Sequence, residues 1–282
     1  MLYEGDILKW KKFANTLRAR LLNRYKHKDA NALSALIQLL NDPVAYPVFE
    51  SSADNASLVM PGELPYQAAM YYFWTNSTSR YFSISKTLVD VLKNGNDPRL
   101  PIFASPNANG EFVGQQNGAP QPAVGTISDI GEFFVGNPNY PLAAMTYPEL
   151  LFIRAEVFND KQAYDAGIAA AMAAVGTAPV PASVAAADAA WNTNPLEAII
   201  TQKWVLLFLN EPEAWSEYRR TGYPSTLQEA LNSVFPGQGV PRRYAYPPIE
   251  ETTNKANLDA ARARQHIEGG KTIFGDKMWW VQ

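Results

Sequence analysis

The sequence predicts a mostly α-helical fold with little β structure, in which helix hairpins form a frame and one long loop-rich excursion is mounted on it. Three observations predict this. Apolar residues recur at helical spacing in pairs of segments joined by short connections. Cap and stop residues sit at the ends of those segments. Between the first pair and the second, Pro and Gly recur so often that they break up long elements.

The first hairpin spans residues 6–41. In "GDILKWKKFANTLRARLLNRYKHK", Asp6 is the expected N-cap, and Trp10, Phe13, Ala14, Leu17 and Leu21 share the face expected to be buried. "DANALSALIQLLND" follows, with Leu33, Leu36, Ile37 and Leu40 as its stripe. The first helix also carries Lys9, Lys11, Lys12, Arg18, Arg20, Arg24, Lys26 and Lys28, mostly read as a solvated flank. Arg20 and Arg24 lie at the edge of the stripe. A buried arginine is costly unless paired, so at least one is expected to meet a carboxylate from a neighbouring helix, with Glu149 or Glu156 as candidates.

Residues 43–145 form the excursion. "DPVAYPVF", "MPGELPY", "NGNDPRLPIF", "GQQNGAPQP" and "GNPNYP" punctuate it. One helix is expected in "SISKTLVDVLKNG", capped by Ser83 or Ser85, and a short strand in "GEFVGQ". A loop region this long inside a compact domain is usually functional or disordered, and its many aromatic residues argue for order.

The second hairpin, 146–176, places Leu150, Ile153 and Val157 on one helix, and Tyr164, Ile168, Met172 and Val175 on the next. Gly167, Ala170, Ala171 and Ala174 permit close helix approach, and Gly176 suits the left-handed position that ends a helix. The third, 194–222, opens on Asn194-Pro195, an N-cap followed by proline at the first helical position. Residues 223–282 read as an irregular C-terminal segment. A helix hairpin of about 30 residues, recurring without strict sequence identity, makes the frame tetratricopeptide-like, each pair burying its stripe against the next.

"EAWSEYRRTGYP" raises a choice between a ligand clamp and a helix end. Trp215, Tyr218 and Arg219 share a face, and Arg220 can pair with Glu217 one turn back. Both arginines sit in the last turn, Gly222 fits the C′ position and Pro224 prevents continuation. Each of these residues has a structural role, so the helix-end reading is preferred.

Composition narrows the function. A net charge of −3 over 282 residues argues against nucleic acid as the main partner. With no cysteine, disulfides, thiolate metal sites and a cysteine nucleophile are excluded within this chain. No apolar run reaches the roughly 18 residues of a membrane span. No leader opens the chain, and Gly5-Asp6 already reads as a helix cap, so a fragment or a mature form is expected. His27 and His266 lack metal-type companions, and no phosphate loop, nucleophile elbow or EF-hand pattern occurs; no metal and no cofactor are expected. Glu211, Glu213, Glu217 and the Glu250-Glu251 pair could be imagined as an acid/base couple for glycoside cleavage. Acids at a helix start are favoured by the dipole alone, and a non-enzyme is the preferred reading.

The strongest functional signal is "YQAAMYYFWTNSTSRYF", residues 66–82. Sugars offer apolar C–H faces that stack on rings and hydroxyls that need amide or guanidinium partners. Tyr71, Tyr72, Trp74, Asn76, Arg80 and Tyr81 supply both, and are the candidate ligand-binding residues. The competing reading is that these rings fill the core beneath the loops. "GEFFVGNPNY", with Phe133, Phe134 and Tyr140, is a second candidate.

A resemblance joins these pieces. "EAWSEYRRTGYP", preceded by "ITQKWVLLF" and followed by "VPRRYAYPPIE" and a terminal "KMWW", resembles the C-terminal part of the SusD/RagB-like family, nutrient-binding outer-membrane lipoproteins of Bacteroidetes-type bacteria. "DILKWKKFANTLRARLLNR", "DPRLPIF" and "YPELLFIRAE" resemble further stretches of it in the same order. The resemblance implies non-catalytic capture of an oligosaccharide or other nutrient at the cell surface. It also implies a TonB-dependent, SusC-like transporter as partner, and an outer-membrane lipid anchor on a segment outside this chain. Trp215, Arg219, Arg220, Gly222, Arg242 and Arg243 lie in its motifs and are expected to be structural. The alternative function is a helical-repeat interaction module with a peptide or protein as its only ligand.

Overall fold

The computed structural model describes residues 2–77, 83–267 and 278–281. The chain runs through α1 (Ile7–Tyr25), α2 (Ala30–Asn41), β1 (Ala56–Leu58), α3 (Ala69–Asn76), α4 (Lys86–Asn94), α5 (Leu100–Phe103), α6 (Glu132–Val135), β2 (Leu142–Met145) and α7 (Tyr147–Phe158). It continues through α8 (Lys161–Ala173), α9 (Pro181–Thr193), α10 (Pro195–Leu206), α11 (Glu211–Thr221), α12 (Pro248–Thr253) and α13 (Lys255–Arg264). The fold is mostly α.

Local chemistry sets the helix ends. Asp6 accepts from the Lys9 amide and Asn194 from that of Glu197. The α7–α8 corner is two residues long: Asn159 takes the left-handed conformation, and Asp160 then caps α8 by accepting from Gln162 and Ala163. Gly176, at φ +79°, closes α8, with the Thr177 amide donating to the Met172 carbonyl. Gly222, at φ +77°, ends α11 and donates to the Tyr218 carbonyl.

Helix α7 is the hub, packing on α1, α8 and α10. Its sequence is apolar nearly all round, as a helix surrounded by others must be. One face, Leu150 and Ile153, meets Leu22, Leu36 and Leu40 of the first hairpin. The other, Phe152 and Ala155, meets Tyr164, Ile168 and Met172 of α8 and Ile199 and Ile200 of α10. Gly167 lets these helices close: a Cβ there would lie 2.8 Å from the Phe152 ring.

The excursion leaves and returns through a narrow neck. Strands β1 and β2 pair antiparallel, Ala56 opposite Met145 and Leu58 opposite Leu142, with an irregularity after Ala56. Beyond the neck the excursion has its own core of Ile84, Leu88, Val89, Leu92, Phe103, Ile130, Phe134 and Val135, docked on Val205 of α10.

Several expectations are corrected. Trp10 and Leu21 are 43% and 47% exposed, and α1 instead buries Lys12, Thr16, Ala19, Arg20, Leu22 and Asn23. The partners of those polar groups come from distant segments, so periodicity of apolar residues alone selects the wrong face. Lys12 and Lys26 therefore leave the predicted solvated flank: Lys12 meets Asp54 at 3.0 Å and Glu50 at 2.6 Å. In α2, Leu33 and Ile37 point outward while Ala32, Leu36, Leu39 and Leu40 are buried. "GEFVGQ" forms only an isolated bridge between Ser85 and Gln115, not a strand. The alanine-rich α9 has no apolar period that would announce it, and the predicted irregular C-terminal segment contains α12 and α13.

Seven of the buried charged groups form one ionic network. Arg20 grips Glu149 with two bonds, 2.8 and 2.5 Å, and also donates to the Ala144 carbonyl at 2.9 Å. Lys203 stands between Glu149, 3.5 Å, and Glu217, 3.3 Å. Arg220 bonds Glu217 at 2.7 Å and forks onto Glu156, 2.7 Å to each oxygen. Lys26 and Asn23 complete Glu156 at 2.8 and 3.0 Å. The expected Arg20–Glu149 pair is present, whereas Arg24 instead reaches Glu213, at 2.5 Å. Burial alone would raise the pKa of each carboxylate, but the facing cations outweigh it. Arg20 and Lys203 hold Glu149 below the ordinary range, Arg220 and Lys26 do so for Glu156, and Arg220 and Lys203 bring Glu217 down to about 2.

Two outcomes follow. The three carboxylates have folded values below their unfolded ones, so their contribution to stability is complete above about pH 5 and is lost as pH falls through the folded values. Urea unfolding between pH 7 and pH 2 is expected to show a plateau and then an acid-side decline, with a slope of up to about 1.4 kcal/mol per pH unit for each protonating carboxylate. Gly167→Ala is expected to lower the unfolding free energy by about 1–3 kcal/mol, measured in the same assay, because the Phe152 ring has nowhere to move.

Candidate functional site

Helix α3 divides its rings between two environments. Met70 and Trp74, one turn apart, pack partly against the excursion core. Tyr72, 44% exposed, and Phe73 face outward with their rings edge to face at 5.9 Å. Asn76 turns back onto its own helix, donating to the Tyr72 carbonyl at 2.9 Å, and Thr75 does the same to that of Tyr71 at 2.8 Å. Arg80 and Tyr81 lie outside the described residues.

Tyr71 and Trp74 form one wall of a hollow of about 650 Å³, with Ser105 and Asp129 in its lining and Glu132 of α6 also contributing. A second hollow, about 710 Å³, lies beside it and shares Asp129. Ser83, Asn107, Gln115 and Gln121 supply its polar groups. The two make a groove with rings at one end and carboxylates and amides along the rest. Of the sequence candidates, the groove brings together Tyr71 and Trp74. Tyr72 and Asn76 are not in its lining.

The loops that carry the polar groups are pinned. Asn107 accepts from the amides of Asn109 and Glu111, both at 2.9 Å, and donates to the Thr126 carbonyl. The Val113 amide donates to the Ser128 hydroxyl at 3.0 Å. Gln115 donates its backbone N–H to Ile84 and accepts from Lys86, both at 2.8 Å. Gly114 makes that approach possible, since a Cβ would stand 2.4 Å from Lys86 Cα. Asp129, Glu132, Asn107, Gln115 and Gln121 were not singled out from the sequence. The only local signal for them is a Pro- and Gly-rich loop unusually rich in side-chain amides.

The second aromatic candidate belongs elsewhere. Phe134 is buried against Phe103 and Phe208, with ring centres 5.0 and 4.9 Å away. Phe133 and Tyr140 line a separate, largely apolar chamber of about 580 Å³ near the neck. Burial pushes the Tyr140 hydroxyl up to about 12.

The arginine motif supports the frame. Arg220 sits in the ionic network, while the Arg219 guanidinium lies 3.9 Å from the Trp215 ring centre and 5.1 Å from that of Trp280. Trp215 donates its indole N–H to the Pro241 carbonyl at 3.0 Å. Arg243 bonds Gln265 and lies over Tyr246. Arg242 is the exception: its side chain is exposed and only its carbonyl is used, by Arg219. Four of the five carboxylates considered for catalysis are engaged: Glu213 and Glu217 in ion pairs, Glu251 with Arg262 and Glu250 with Asn254; Glu211 stands in the first turn of α11. Among the described residues no group of three or more His, Asp or Glu is placed to hold a metal ion, and no helix is long and apolar enough to cross a membrane.

Comparison with known proteins shows the family and the fold. A SusD-like family model, described as starch-binding associating with outer membrane, matches residues 1–247. A SusD homologue from Bacteroides fragilis NCTC 9343 superposes with a TM-score of 0.79 at 23% identity, over 100% of this chain and 69% of that one. One from Bacteroides uniformis ATCC 8492 gives 0.78 at 22%, over 100% and 66%. A protein described as chitin-binding gives 0.75 at 29%, over 99% and 66%. The chain thus spans about two thirds of the length of these structures. No curated protein matches.

Gly114→Ala tests whether the groove depends on the pinned loop. It is expected to cost about 1–3 kcal/mol in chemical denaturation, because the backbone of Lys86 must move away from Gln115.

Proposed function

This chain belongs to the SusD-like family of starch-binding proteins that associate with the outer membrane, and on that premise we propose that it captures a neutral oligosaccharide in the groove between α3, α6 and the 105–129 loops. The observation that carries the proposal is the pairing of Tyr71 and Trp74 with Asp129, Glu132, Asn107, Gln115 and Gln121 along one groove. Rings accept the apolar face of a pyranose. Carboxylate oxygens accept from its hydroxyls, and amides both donate and accept. The loops are held before any ligand arrives, so less ordering entropy opposes binding.

Binding here is non-catalytic: of the carboxylates considered for a hydrolase pair, Glu213, Glu217 and Glu251 are held in ion pairs and Glu250 on its own helix. At the cell surface the captured sugar passes to a TonB-dependent, SusC-like transporter in the outer membrane. The chitin-binding protein at 29% identity makes N-acetylated sugars a ligand class to test beside starch fragments.

Calorimetry with maltohexaose and chitohexaose, and with a proline-rich peptide as control, tests this. One sugar is expected to bind, without release of reducing ends, and Tyr71→Ala to weaken it about tenfold. Unchanged sugar affinity in both Tyr71→Ala and Glu132→Ala would sink the groove assignment. Binding of the peptide alone would favour an interaction module.

A further inference from the structure

A further concavity lies where the C-terminal residues meet the first hairpin. It has a volume of about 580 Å³, within the range of small-molecule sites. Leu22, Ala32 and Ala35 form its apolar floor. Trp279 stands at its edge, 71% exposed, and its ring centre is 6.3 Å from that of Tyr25 at an interplanar angle of 46°. The two rings make a V-shaped trough rather than a closed stack.

Polar groups of both kinds surround the trough. Arg18 lies over the Tyr46 ring at 5.7 Å and forms no ion pair among the described residues. The side-chain amide of Asn31 is exposed, and Asp29 accepts one bond, from the Asn31 backbone N–H at 2.8 Å. In the wall, Arg24 has a buried Nε–H without a hydrogen-bond partner, although its other end holds Glu213. Arg24 is paired with Glu213, and the rim carries Asp29 as well as Arg18. A neutral polyol finds a flat ring, donors and an acceptor together.

We propose that this cleft is a second saccharide-binding site, taking one terminal pyranose of a neutral oligosaccharide on Trp279, with Arg18, Asn31 and Asp29 as its hydroxyl partners. It shares no lining residue with the groove of α3 and α6. The two sites would let one chain hold a glycan at separated points, and the proposal rests on the saccharide reading only for the class of ligand.

The test uses the full chain, calorimetry with maltohexaose and chitohexaose, and the Tyr71→Ala protein as a background that weakens the groove. In that background a residual sugar site is expected. Trp279→Ala removes it, Trp279→Phe retains it, and Arg18→Ala weakens it about tenfold. The exposure of Trp279 makes its replacement tolerable to the fold, and a thermal melt matching that of the parent verifies this. Loss of sugar binding in Trp279→Ala but not in Tyr71→Ala supports the cleft and overturns the groove. Unchanged sugar heats in Trp279→Ala, in both backgrounds, overturn the cleft and leave the groove intact. Heats only with a proline-rich peptide, or with neither sugar, overturn the cleft.

Discussion

The architecture depends on a set of buried charges that cannot be satisfied unless the hairpins are in register. Arg20, Lys26, Lys203 and Arg220 face Glu149, Glu156 and Glu217 across α1, α7, α10 and α11, all with nearly inaccessible side chains. Moving any one helix by a turn would strand a charge in a dry interface, at a cost of several kcal/mol per ion. Apolar stripes tolerate sliding far better, because any Leu suits any other. The network is therefore read as a specificity device: it selects one stacking of the hairpins, while the surrounding Leu, Ile and Phe supply the cohesion.

The same network reaches the excursion. Arg20 donates to the Ala144 carbonyl in β2, and the Tyr147 amide at the start of α7 donates to the Asn55 side chain beside β1 at 2.7 Å. Both ends of the excursion are thus tied to the charged hub at the neck. Its far side docks on Val205, only two residues beyond Lys203. A long insertion loses little stability through loop closure alone, since that cost grows slowly with length. What it needs is fixed attachment points, and here Arg20 and Asn55 provide them at the neck and the apolar contact with Val205 at the dock. The groove then sits on a rigid mount although most of its walls, beyond α3 and α6, are loops.

Legibility in the sequence followed the range of the interactions. Caps at Asp6 and Asn194 and stops at Gly176 and Gly222 are local, involving residues two to five apart, and each was readable. The pairing of Arg20 with Glu149 was readable because burial of a guanidinium demands a partner, and few candidates lay on neighbouring helices. The face of α1 was not: Thr16, Asn23 and Lys26 become core residues only through groups such as the Phe49 amide and Glu156, which no window of adjacent residues contains. Helix α3 was read as loop because its short aromatic run has weak helical propensity, and its order comes from Met70 and Trp74 packing on the excursion core. The groove was half legible. Its rings form a cluster in sequence, whereas Asn107, Gln115, Asp129 and Glu132 converge only after the 105–129 loops are pinned to Ile84 and Lys86.

The C-terminal tryptophans show how an anchor and a contact surface can share a dipeptide. Arg219 lies between the Trp215 and Trp280 rings, Tyr244 meets Trp215 edge on at 5.0 Å, and Arg24 approaches Trp280 from the other helix at 5.7 Å. This column draws positive charge to the ring of Trp280, and Val281 is buried beside it. The two residues that follow Trp279 are so held, and its own ring is turned out beside Tyr25. An indole exposed to this extent forgoes much of the burial that makes the residue favourable in a core, on the order of 1.5–3 kcal/mol for a large apolar side chain. The arginine motif first read as a helix end therefore has a second consequence. Holding Trp280, it bears on where the neighbouring ring emerges, so a residue with a structural role bears on the position of the proposed cleft.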